Sequence, residues 1–106
     1  MELRHLRYFA AVAAHGSFSR AAIQLHLTQP ALSRQVKSLE DEIGVALIVR
    51  GQNTISLTSA GEDFYEEAKD ILARVDVAVR RITRLPLEKL RIGDLHSLTA
   101  GIASGP

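Results

Sequence analysis

Phe18-Ser-Arg-Ala-Ala-Ile-Gln-Leu-His-Leu-Thr-Gln-Pro-Ala-Leu-Ser-Arg-Gln-Val-Lys-Ser-Leu-Glu40 is the stretch that decides the fold. It reads as a short helix, a tight turn and a second helix. Thr28 is placed to cap the second helix, and Pro30 falls in its first turn, where a missing N–H costs nothing. Leu32, Val36, Leu39 and Ile43 follow at spacings of four, three and four, which predicts one buried stripe. Gln29, Pro30, Ala31, Ser33 and Arg34 are then left at the outward tip, with Lys37 also off the stripe. The adjacent Ala21 and Ala22 are small enough to let the two helices cross closely.

Toward the amino terminus, Leu6, Phe9, Ala10 and Ala13 share one face of a helix predicted over 3–14. Gly16 supplies its stop, and Ser17 caps the short helix that follows. Toward the carboxyl terminus, the acidic run Glu40, Asp41, Glu42 ends the second helix before Gly44. Acid there opposes the helix dipole, but it concentrates basic and polar groups in the amino-terminal half. Two β-branched runs, 46–50 and 54–57, flank Gly51-Gln-Asn53 and predict a hairpin, which directly after such a helix is a wing.

Thr58 is placed to cap a long last helix. Phe64, Ala68, Ile71, Val75, Ala78, Ile82 and Leu85 recur at alternating spacings of four and three, a coiled-coil-like seam. From Ser59 to Arg84 that helix would run roughly 40 Å, too long for the preceding residues to cover. Tyr65, Leu72 and Val79 form a second stripe, and Pro86 stops the helix. Leu90-Arg-Ile-Gly93 looks like the first strand of another domain. The Ser/Thr/Gly/Ala-rich remainder has nothing to pack on and is expected to be disordered or loosely attached. The expected architecture is mainly α with a small β-hairpin. Residues 1–58 form a winged helix-turn-helix, 59–86 a linker and dimerisation helix, and 87–106 the truncated start of a further domain.

Composition narrows the classes. Among 106 residues, 46% are hydrophobic and 24% charged, as in ordinary globular chains, and there is no cysteine for a disulfide or thiolate site. No apolar run approaches a membrane span, and the first residues enter an amphipathic pattern at once, so neither a membrane association nor a signal peptide is expected, and a cytoplasmic location is. Net charge is only +1, but residues 1–57 hold six Lys/Arg against four Asp/Glu. The basic groups matter through their placement rather than their sum.

The chain resembles the amino-terminal part of LysR-type bacterial transcriptional regulators over about residues 1 to 93. The matching stretches are Leu6-Arg7-Tyr8-Phe9, Ser17-Phe18-Ser19-Arg20-Ala21-Ala22, Leu27 through Gln35, Leu39-Glu40, Leu47 with Arg50, and Leu57-Thr58-Ser59-Ala60-Gly61. The resemblance implies a winged helix-turn-helix, a linker helix that pairs two subunits, tetramers in full-length members, and a carboxy-terminal domain that binds a small-molecule effector. Ser97 and Thr99 fall where the family places an effector-contacting loop. Without the rest of that domain they make no working site, and no cofactor is expected in this chain.

On this reading the partner is double-stranded operator DNA. The Gln29 amide matches adenine N6 and N7. Pro30 and Ala31 offer apolar surface to a thymine methyl, although Pro30 also serves helix initiation. Ser33 can meet a base edge or a phosphate, Arg34 a guanine or a phosphate, and Lys37 a phosphate. The bland alternatives are solvated polar groups and a weak surface ion pair. Gln35 is free to face inward. Ser17, Ser19 and Arg20 stand at a helix amino terminus that attracts phosphate, beside simple capping by Ser17. Arg50, Gln52 and Asn53 belong to the wing, with Arg50 its one cation for the minor groove. Many family members carry a second basic residue where this chain has Gln52-Asn53. The seam of Phe64, Ala68, Ile71, Val75, Ala78 and Ile82 is assigned to a homodimer, which would set two reading heads on two half-sites. His5, His15, His26 and His96 show no metal spacing, and no nucleophile is paired with a base, so no catalytic or metal site is assigned. The alternative class is a protein-interaction or dimerisation module that reuses the winged-helix shape without reading DNA.

Overall fold

Residues 1–52 and 54–84 are described by a computed structural model of the chain. Four helices and two strands follow in order: α1 (Leu3–His15), α2 (Phe18–Leu25), α3 (Gln29–Ile43), β1 (Ile48–Arg50), β2 (Ile55–Leu57) and α4 (Ser59–Thr83). The boundaries come from local chemistry. Gly16 and Gly44 close α1 and α3 in the left-handed conformation that glycine adopts freely. The side chains of Ser17, Thr28 and Thr58 each accept the backbone N–H three residues on, from Arg20, Ala31 and Gly61, and so start α2, α3 and α4. His26 ends α2 at φ 58, and its N–H bonds back to Ala22 and Ile23.

Phe9 and Val12 of α1, Ala21 and Ala22 of α2, and Leu32, Val36 and Leu39 of α3 meet in one core, closed below by Leu47 and Ile48. Ile43, the last member of the expected stripe, is only half-buried. It sits at the frayed edge of that core, beside the Gly44 stop. His5 is buried in the contact of α1 with α3. Its Nδ1 accepts the Glu2 N–H at 3.1 Å, so the proton is on Nε2, which donates to Gln35 Oε1 at 3.0 Å. Gln35 does face inward.

The hairpin is antiparallel, with Ile48 opposite Leu57 and Arg50 opposite Ile55. Its strands are shorter than the runs 46–50 and 54–57, and the backbone just before β1 is held by α3 and by Thr58. Leu47 N–H goes to the Glu40 carboxylate, Leu47 C=O accepts from Thr58 N at 3.0 Å, and Ala46 C=O accepts the Thr58 hydroxyl at 2.7 Å. Glu40 is thus not an exposed helix-end acid. It is 8% exposed, and its Oε2 takes the N–H groups of both Leu47 and Ile48.

The seam on α4 divides. Phe64 packs on Phe9 with ring centroids 5.6 Å apart, Tyr65 meets the same ring edge-on, and Ala68 is 0% exposed within this chain. These first positions dock α4 on α1. Assigning Phe64 and Ala68 to an intersubunit seam is therefore corrected: this first part of the stripe packs within the chain. Beyond Ala68 the helix projects, with Ile71 42% and Ile82 39% exposed. Leu85, Pro86 and the expected start of a further domain at 87–106 lie outside the described residues.

Candidate nucleic-acid interface

The outward face of α3 and the base of the hairpin enclose a shallow recess lined by Ser33, Arg34, Lys37 and Arg50, with Glu40 and Asp41 at its far side. The two acids do not cancel the cations equally. Glu40 is turned to the backbone of Leu47 and Ile48, and Asp41 pairs with Lys37 at 3.2 Å one helical turn away. Arg34 is exposed and makes no salt bridge among the described residues. A second recess, around the amino terminus of α2, is lined by Ser17, Ser19, Gln29, Arg50 and Gln52. Arg50 borders both.

Gln29 opens α3 exposed, and the Ser19 hydroxyl donates to its Oε1 at 3.0 Å, so the tips of α2 and α3 are tied together. Ser17 is spent on capping: its hydroxyl accepts Arg20 N–H at 3.2 Å. The Arg20 side chain, like Pro30, is exposed but lines neither recess, and Ala31 is half-buried. Lys37 is committed to Asp41, an exposed pair worth about 0.3–0.5 kcal/mol, which leaves it available to a competing phosphate. Asn53 lies outside the described residues.

Arg50 departs most from expectation. Read as a wing cation reaching for the minor groove, it instead folds back across the hairpin base. Its Nη1 donates to Ser33 Oγ at 2.8 Å, and its guanidinium lies 4.5 Å over the centroid of the Phe18 ring. A hydrogen-bond acceptor and an aromatic face together hold it there. Besides Glu40, two residues with structural duties were missed from sequence. His5 joins α1 to α3, and Gly61 lets α4 approach the backbone of Leu47, just before β1. A Cβ on Gly61 would lie 2.0 Å from Leu47 O. No cluster of metal-ligating side chains occurs among the described residues.

Two crossed helices whose second tip is polar and exposed, followed at once by a hairpin, define a winged helix-turn-helix protein, here carrying a projecting helix. Residues 3–62 match the family described as "Bacterial regulatory helix-turn-helix protein, lysR family", and the chain belongs to that family. It is 44% identical over 105 residues to a "Probable cat1 operon transcriptional activator" of Acinetobacter lwoffii, covering 96% of this chain and 35% of that protein. It is 45% identical over 104 residues to the "HTH-type transcriptional regulator BenM" of Acinetobacter baylyi, covering 96% and 34%. The chain thus spans about a third of the length of these curated relatives, which are transcriptional regulators rather than enzymes. Among solved structures, the "BenM_DBD/benA site 1 DNA Complex" superimposes with a TM-score of 0.76 at 46% identity, covering 79% of this chain and 94% of that one. The "CbnR_DBD-DNA complex" gives 0.75 at 42% identity, covering 79% and 97%.

Proposed function

We propose that this chain is the DNA-reading and pairing part of a bacterial transcriptional regulator. Residues 1–58 bind double-stranded operator DNA sequence-specifically. The tip of α3 enters the major groove with Gln29, Pro30, Ala31, Ser33 and Arg34, and the hairpin lies toward the neighbouring minor groove. Residues 59–86 carry the pairing helix, and two copies joined along it set two heads on two half-sites. The observation that carries the reading is the exposed tip of α3. Gln29 and Arg34 stand there with no acidic partner among the described residues, while the leucines and valine behind them are 0% exposed. Structures of related domains with DNA support it.

Ser17, Ser19, Arg20, Lys37 and Gln52 serve the sugar-phosphate backbone in this reading, and fix register without reading sequence. In the whole protein, a small-molecule effector would bind in a further domain and full-length subunits would assemble as tetramers. No described helix is long and apolar enough to cross a membrane, and a regulator of bacterial promoters works in the cytoplasm, where the chromosome is.

Footprinting on promoter fragments across a salt series tests the proposal. Two protected half-sites on one face of the duplex, with affinity falling steeply as salt rises, are expected, since each neutralised phosphate contributes about −0.9 to the logarithmic slope. A flat salt response together with tight binding to a protein would instead favour a winged helix used for protein contact.

A further inference from the structure

Arg50 and Ser33 belong to different elements, seventeen residues apart, and meet at 2.8 Å. The direction of this bond is not open to choice. A guanidinium has five N–H donors and no acceptor, so Ser33 Oγ accepts. A serine hydroxyl has one proton and two lone-pair sites, and left alone it rotates to donate or to accept. Here one lone-pair site faces a cation, so the proton points elsewhere. The charge also polarises the O–H bond and makes it a stronger donor. The Phe18 ring, 4.5 Å from the guanidinium, also holds Arg50, so the contact forms without DNA.

We infer that Arg50, although a wing residue, biases what Ser33 reads: by occupying one of its two lone-pair sites and polarising its O–H bond, it favours the Ser33 hydroxyl as a donor over an acceptor. The inference rests on the DNA-reading role proposed above. This position of α3 then favours a base edge that accepts, such as a purine N7, guanine O6 or thymine O4, over the amino edge of cytosine. Arg50 is a positioning residue in this account, since it acts on the base through another side chain. Its remaining N–H groups stay available to a phosphate at the border of the two recesses.

The test uses the 106-residue chain and a pool of randomised duplexes. Sequences selected by the wild-type chain are titrated at fixed salt against single-base variants. Ser33→Ala identifies the position Ser33 reads. Arg50→Met keeps an apolar stem on Phe18 but removes the donor. It is expected to lose about two- to tenfold of the base preference at that same position, the worth of one hydrogen bond. The double variant should lose no more than either single one, and Arg50→Lys, which keeps a cationic donor, should restore most of the preference. If Arg50→Met does not fold by circular dichroism, Arg50→Leu, which also lacks a donor, is measured in its place. Uniform weakening on all duplexes with a shallower salt slope, and an unchanged preference at the Ser33 position, would overturn the inference and leave Arg50 a phosphate ligand. Failure of the wild-type chain to select any sequence would instead remove the DNA-reading proposal itself, and the inference with it.

Discussion

Oε2 of Glu40 accepts the backbone N–H of Leu47 at 2.7 Å and that of Ile48 at 3.1 Å. One carboxylate near the end of the reading helix therefore fixes the first residues of the wing. The bonds are buried, so water cannot replace them. Glu40→Ala would leave two donors unpaired and is expected to destabilise the fold by about 2–4 kcal/mol. Glu40→Gln keeps an oxygen but loses the charge, and should cost about 1–2 kcal/mol. Urea unfolding followed by circular dichroism measures both. Equal midpoints for Glu40→Ala and wild type would show that the carboxylate does not hold the wing.

Gly61 carries the opposing face of that joint. An alanine Cβ there would lie 2.0 Å from Leu47 O and 2.9 Å from Leu47 C, both backbone atoms that no rotamer change can move. At an unhindered interior helix position, Gly→Ala gains about 1 kcal/mol. Here the clash reverses the sign, and a net loss of about 1–3 kcal/mol is expected from overpacking. A melting temperature for Gly61→Ala at or above that of wild type would mean that α4 shifts without cost.

The two cations next to each other on α3 should behave differently. Arg34 has no acidic partner among the described residues, whereas Lys37 is paired with Asp41 at 3.2 Å. Arg34→Ala is expected to weaken binding to a selected duplex by about 1–3 kcal/mol and to relax preference at one position. Lys37→Ala should weaken all duplexes alike and reduce the salt slope by about one. Gel-shift titration at several salt concentrations separates the two, and a sequence-dependent effect of Lys37→Ala would reverse their assignment.

These contrasts show which features the sequence carries plainly. Helix starts and stops are local: a hydroxyl three residues before the N–H it accepts, or a glycine at a stop, can be read from neighbours alone. Ser17, Thr28, Thr58, Gly16 and Gly44 were legible for that reason, and the apolar spacing placed Leu32, Val36 and Leu39 in the core. Glu40 was not legible, because the amides it serves lie seven and eight residues on, in a strand whose position depends on the whole fold. The contacts of Arg50 were not legible for the same reason: wing membership gives its backbone position but not the Ser33 hydroxyl and Phe18 ring that its exposed side chain meets. Periodicity marked the α4 stripe correctly as apolar, but spacing alone does not say which surface covers each part of it.

Ala68 is 0% exposed within the chain, while Ile71 and Ile82 are 42% and 39% exposed on the same stripe. A charge at Ala68 would be buried against the domain and should unfold it, whereas charges at Ile71 and Ile82 enter water in a single subunit. The combined variant Ile71→Glu with Ile82→Glu is therefore expected to keep the helical circular-dichroism spectrum and the melting of the winged domain. It should lose self-association in sedimentation velocity, and with it the affinity that two linked heads provide on paired half-sites. Binding to a single half-site should change little. If the double variant still sediments as a dimer, pairing would have to use another surface, such as the second stripe through Leu72 and Val79.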